Sequence, residues 1–93
     1  MPIQETSIIS LYSILSELGD RQKEVLVALK HLKVANNLMI SRYLNLPINS
    51  ITPRINELRK KGLVIKHHVS ACPITGRSSI FWIIKSYVND ILQ

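Results

Sequence analysis

Residues 47–62 read PINSITPRINELRKKG, and their polar side chains are amides, hydroxyls and bases with a single carboxylate, Glu57. Stepping about 100° per residue from Ile51 puts Ile55 and Leu58 within about 40° of it, a stripe suited to burial. Asn49, Pro53, Asn56 and Lys60 fall on the opposite side. Thr52 lies on one flank and Glu57 on the other, while Ser50, Arg54 and Lys61 edge the apolar stripe. A helix that merely faces solvent more often carries Glu–Lys pairs one turn apart. Asparagine amides and hydroxyls instead pair with base edges, and lysine and arginine with phosphates. The chemistry of this face is suited to recognition of a nucleic acid.

A second group lies in SACPITGRS, residues 70–78, where Thr75, Gly76 and Arg77 occupy the centre of a loop with Pro73 as a further breaker. An arginine beside a glycine at a hairpin tip is suited to a phosphate or to the minor groove. On its own it would read as an ordinary loop arginine, and the helix expected at about 50–61 is what favours the contact. Lys60 and Lys61 also suit a helix C-terminus, where cations complement the dipole. His67, His68 and Cys72 invite a metal assignment, but adjacent strand residues point to opposite faces, so no metal site is expected. Cys72 beside Pro73 reads as a small packing residue. The six acidic residues are scattered, no nucleophile sits with a base, and no glycine-rich phosphate loop exists. Neither enzyme activity nor a cofactor is expected.

Net charge is +6 over 93 residues with pI near 9.8, and its distribution is uneven. Residues 21–85 hold all twelve Lys and Arg against two Glu, a net of +10, whereas residues 1–20 carry Glu5, Glu17 and Asp20. The middle of the chain attracts polyanions and the ends do not. A single cysteine rules out an internal disulfide and fits a reducing cytoplasm. No apolar run approaches the roughly 20 residues a membrane span needs, and the N-terminus lacks a secretory pattern. A cytoplasmic protein with no membrane partner is expected.

Around these residues the periodicity predicts a helix over Thr6–Leu18, ended by Gly19, with Asp20 capping the next. Val25, Leu26, Leu29 and Leu32 make a core stripe over residues 21–33. VANN (34–37) reads as a turn with Asn36 or Asn37 as cap, Leu38–Leu44 as a short helix, and Asn45 as its left-handed end. Ser41, Asn45 and Ile51 have the spacing of a helix-turn-helix: a small residue, a turn residue four on, an apolar residue six later. Pro53 then places the start of the next helix near 50–52, with Pro47–Asn49 as the lead-in, because a first-turn proline gives up no hydrogen bond. After Gly62, LVIKHHV (63–69) and SIFWIIK (79–85) read as strands, with Ile80, Trp82 and Ile84 packing inward. SYVNDILQ suggests a last short helix.

The stretch SITPRINELRKKGLV resembles the recognition helix and first wing strand of winged helix-turn-helix proteins of the multiple-antibiotic-resistance regulator type. The longer LPINSITPRINELRKKGLV, with CPITGRSSIFW, is similar to small winged-helix proteins of bacteriophages and prophages, over about residues 21–84. The resemblance implies a mainly α fold with a β-hairpin wing, here with an extra N-terminal helix that has no counterpart. It divides the chain into the N-terminal helix (1–19), a winged helix-turn-helix (20–85) and a C-terminal extension (86–93). It implies double-stranded DNA as partner, met through Asn49, Ser50, Thr52, Pro53, Arg54 and Asn56 and, on the wing, Thr75, Gly76 and Arg77. Arg42 and Lys60 join them, and Arg42, Arg54, Lys60 and Arg77 are the expected phosphate contacts. A transcriptional regulator of phage or mobile-element origin is the leading expectation. The rivals are an interaction module that binds a host protein and an architectural DNA binder in replication or recombination. Finally, Ile8, Leu11, Tyr12, Leu15 and Leu18, with Ile9 and Ile14, are too many apolar residues for one face of a peripheral helix. They are assigned to a homodimer contact.

Overall fold

The computed structural model describes residues 12–91. The described chain opens in helix at residues 12–16 (α1) and then runs α2 (Asp20–Leu32), β1 (Val34–Ala35), α3 (Asn37–Leu44), α4 (Ile48–Lys60), β2 (Val64–Ala71), β3 (Ser78–Ile84) and α5 (Ser86–Ile91). The three strands form one antiparallel sheet in the order β1-β3-β2. This is a winged helix-turn-helix, with α3 and α4 as the helix pair and β2–β3 as the wing.

The core lies where the helices meet the near end of the sheet. Val25, Leu26 and Leu29 of α2, Ile40 of α3, and Ile51, Ile55 and Leu58 of α4 are buried against Leu63, Val64, Trp82 and Ile84. Full burial of each such aliphatic side chain contributes about 1.5–3 kcal/mol, so the stripe along α4 anchors one side of that helix and leaves the other outward. Leu18 and Val88 are buried in the same cluster, and Ile14 and Leu15 pack on it. The chain on both sides of the helix-turn-helix therefore folds back onto one core.

Several local expectations are corrected. Gly19, not Asp20, occupies the N-cap of α2, and its N–H donates to Gln22 Oε1 at 2.9 Å. Val34 and Ala35 are not a turn but a two-residue strand, paired with Ile83 and Trp82. Two residues are too few to carry a period, and their pairing partners lie nearly fifty positions on. Asn36 is the cap of α3, accepting from the Met39 N–H at 2.9 Å.

α4 begins at Ile48 rather than near 50–52, and Pro47–Asn49 is no lead-in turn. Pro47 takes the extended N-cap position and its carbonyl accepts from the Ser50 N–H at 2.9 Å. Pro53 is therefore the sixth helical residue, beyond the first turn, and the bond it forgoes is the one the Asn49 carbonyl would accept. Asn49 is exposed, so that carbonyl can be satisfied from outside.

The wing departs from strict alternation. A bulge at His67 of β2 shifts the register between the Lys66–Trp82 and His68–Phe81 pairs, and on β3 the adjacent Phe81 and Trp82 are both buried while Ile80 is 41% exposed. Ile80 belongs to the distal half of the hairpin, which projects past the core. The same bulge cancels the opposition of the two histidines: His67 Nδ1 and His68 Nδ1 lie 2.7 Å apart, and His68 stacks on Phe81.

Candidate nucleic-acid interface

The turn between α3 and α4 is built by three residues. Ser41 is buried where the helices approach, and its hydroxyl donates to the Leu46 carbonyl. Its own carbonyl accepts from the Leu46 N–H at 3.0 Å. Asn45 closes α3 in the left-handed conformation, φ 56° and ψ 47°, which asparagine tolerates better than most residues. This geometry aims the outer face of α4 away from the body.

On that face Asn49, Thr52, Asn56 and Lys60 are exposed, Pro53 and Ser50 are half-buried, and Arg42 is exposed in the last turn of α3. At the wing tip Thr75, Gly76 and Arg77 are all exposed. The tip is closed by two short bonds, Cys72 N–H to the Arg77 carbonyl and Gly76 N–H to the Cys72 carbonyl, both 2.7 Å. Gly76 has φ 76°, a conformation that disfavours any side chain at that position.

Helix and wing share one open concavity of about 350 Å³. Ile48 and Thr52 line it from α4, Asn37 from α3, and Thr75, Arg77 and Ser79 from the wing. Thus Thr52, Thr75 and Arg77 are brought to one place, while Asn49 and Asn56 lie outside its lining. Sequence reasoning missed the asparagine pair here. Asn36 Nδ2 donates to Ser79 Oγ at 2.9 Å, tying α3 to the wing, and Asn37 Nδ2 donates to Thr52 Oγ1 at 3.2 Å, tying α3 to α4. Asn37 Oδ1 is buried without a partner among the described residues, an acceptor left over in the notch. The asparagine doublet was legible as a cap but carried no sign of these distant partners.

Cys72 is buried at the base of the notch, as the packing reading had it. The hydrogen bond from Asn36, followed by the backbone of Thr75, draws its thiol down to about 7 from an ordinary 9.0. Among the described residues no group of three or more His, Cys, Asp or Glu side chains gathers as a metal site would require.

Arg54 is placed differently from the other named residues. Its Nε and Nη2 donate to Glu57 Oε1 and Oε2 at 2.8 and 2.9 Å, a two-point pair along the flank of α4 that faces α2. Gln22 of α2 adds a bond from Nε2 to Glu57 Oε1 at 2.7 Å. The Arg54 guanidinium, and then the Gln22 amide, hold the Glu57 carboxyl at about 2, below its usual 4.5.

The residues assigned to a dimer contact divide. Ile8 and Leu11 lie outside the described residues. Tyr12 is 55% exposed, Leu15 is half-buried against the core, and Leu18 is covered by its own chain. No helix among the described residues is long and apolar enough to cross a membrane.

No family model matches the chain, and no curated protein matches it by sequence. Solved structures do match by fold. MarR from E. coli in its reduced form superposes with a TM-score of 0.64 at 15% identity, covering 98% of this chain and 72% of that one. NadR in complex with 4-hydroxyphenylacetate gives 0.62 at 17% identity, covering 98% and 73%. The adhesin competence repressor of Streptococcus pyogenes gives 0.58 at 17% identity, covering 92% and 60%. At such identities the likeness establishes the fold, a winged helix-turn-helix related to that of MarR.

Proposed function

We propose that this chain is a DNA-binding winged-helix transcription regulator, seated with α4 in the major groove and the 70–78 wing against the backbone or minor groove. The observation that carries this reading is the shared concavity: Thr52 of α4 faces it from one side and Thr75 and Arg77 of the wing from the other. A duplex offers a groove beside a phosphate strand, and a helix with an adjoining wing can meet both at once. Asn49, Thr52 and Asn56 then read base edges, and Arg42, Lys60 and Arg77 contact phosphates. Ser50 and Thr75 complete the contact surface through hydroxyls, Gly76 through close backbone approach and Pro53 through its rigid apolar ring. The matched structures lend support, since MarR and the adhesin competence protein are both named repressors. A phage or mobile-element origin rests on the similarity of residues 46–64 and 72–82 to small phage proteins.

The same reading includes a homodimer made through the N-terminal helix, with Ile8, Leu11, Tyr12 and Leu15 as contact residues. Tyr12 is exposed, and the acidic N-terminal residues allow two basic bodies to pair without confronting their charges. A host-protein partner is the rival occupant of that surface.

The test is titration of mixed-sequence and selected duplexes with wild type, Asn49→Ala and Asn56→Ala. The variants are expected to lose about 1–3 kcal/mol at one base position each while keeping their affinity for mixed sequence. Wild-type preference ratios in both variants would remove α4 as the reading element.

A further inference from the structure

The flank of α4 that faces α2 carries an ion pair that the proposed DNA contact does not use. Arg54 and Glu57 lie on it about 60° apart, between the core stripe and the outward face. Two guanidinium N–H groups of Arg54 are committed to Glu57, and the carboxylate is itself fixed by the amide of Gln22, thirty-five residues earlier in the chain. Gln22 is fixed in turn, because its Oε1 accepts from the Gly19 N–H at the start of α2. A chain of four hydrogen bonds thus runs from the joint between α1 and α2 to the middle of α4. Both charged side chains retain contact with solvent, at 29% exposure for Arg54 and 39% for Glu57. The pair is accessible, oriented and close to electrically neutral.

A helix lying in the major groove has a phosphate strand on each side. A flexible arginine on its flank would reach one of them and bind it whatever the sequence, because phosphate contacts carry no base information. It would also draw the helix toward that strand and away from the seat from which its asparagines read. We propose that Glu57, oriented by Gln22, is a specificity-determining positioning residue that holds Arg54 off the phosphate backbone. This inference rests on the DNA-reading function proposed above. It gives Arg54 a role opposite to that of Arg77: one is presented to the nucleic acid, the other is withheld from it.

The experiment measures binding to a selected duplex and to mixed-sequence duplex across a salt series. It uses wild type, Glu57→Gln, Gln22→Met, Arg54→Gln and the double variant Glu57→Gln/Arg54→Gln, each checked for folding by thermal melting. Glu57→Gln is expected to tighten binding to mixed sequence and to steepen the slope of log affinity against log salt by about one phosphate contact. The ratio of selected to mixed affinity is expected to fall several-fold. Gln22→Met, which keeps chain length but removes the amide, is expected to shift both readouts the same way by less. In the Arg54→Gln background the effect of Glu57→Gln is expected to vanish, because there is no guanidinium to release. A purely structural role would lower melting temperature and leave slope and ratio alone, and that result overturns the proposal. Equal effects with and without Arg54 also overturn it, since Glu57 would then act as a bare negative charge. If wild type binds no duplex at any salt, the DNA reading itself fails and this inference with it; if wild type binds and discriminates, only the positioning role is at stake.

Discussion

Arg77 and Glu57 show how differently two charged residues can be placed within one small domain. Arg77 is exposed at the wing tip and opens onto the same notch as Thr52. Arg77→Ala is therefore expected to weaken DNA binding and to flatten its salt dependence by about one phosphate's worth. An unchanged slope would mean that the wing tip does not touch the backbone. Glu57 is tied to Arg54 and Gln22, with its carboxyl lowered from 4.5 to about 2. A carboxylate depressed in the folded state stabilises the fold above its unfolded pKa, and that contribution disappears as pH falls through the folded value. The stability gap between wild type and Glu57→Gln is thus expected to be full near neutral pH and to shrink between about 4.5 and about 2. Urea midpoints measured across that range check it, and a gap that stays constant would show that the ion pair contributes nothing. The outward placement of Asn49, Asn56 and Lys60 was legible because a helix fixes side-chain direction by spacing alone. The Gln22–Glu57 bond was not, because nothing local links residues thirty-five apart.

Elements were legible where they are long and periodic. α2, the turn at Asn45, the two long strands and the α3–α4 pair all follow from apolar spacing and from residue types that end helices. The failures occur where tertiary pairing outweighs local preference. β1 exists because β3 offers it partners, and His67 meets His68 because a bulge breaks the alternation that kept them apart. A proline ordinarily avoids a helix interior, and that preference alone sets the start of α4 two to four residues later than Ile48. The fold instead places Pro53 at the sixth position, where it cannot donate the usual bond to the Asn49 carbonyl. That arrangement yields a direct expectation. Pro53→Ala restores the N–H that the Asn49 carbonyl lacks and is expected to stabilise the domain by about 1–3 kcal/mol, read as a higher urea midpoint. If the midpoint falls, the proline suits its site and the helix loses nothing by it. A stabilised variant with reduced base preference would show that Pro53 is kept for the surface it presents.

At the scale of the whole molecule, the positive charge is spread beyond the proposed DNA-contact surface. Lys30, Lys33 and Lys85 line a separate cleft of about 820 Å³ beside β2, β3 and α5, away from the notch between α4 and the wing. The salt slope of the intact protein should therefore correspond to fewer phosphate contacts than the +10 of its central segment implies. The terminal segments raise the question of assembly. Leu18 and Val88 are buried in the domain's own core, whereas Tyr12 is exposed. A homodimer through the N-terminal helix is expected to appear as a two-chain mass by sedimentation equilibrium at micromolar concentration, and a monomer mass there would remove it. A two-fold dimer would carry two copies of α4 and call for half-sites about one helical turn apart. The central claim, that α4 and the wing read DNA, is tested most directly by selecting bound duplexes from a random library at stated salt. The account predicts enrichment of one recurring motif, palindromic if the protein is a dimer, with one position losing its preference in Asn56→Ala. Retention of duplexes without any enriched sequence, or no retention at all, would contradict it.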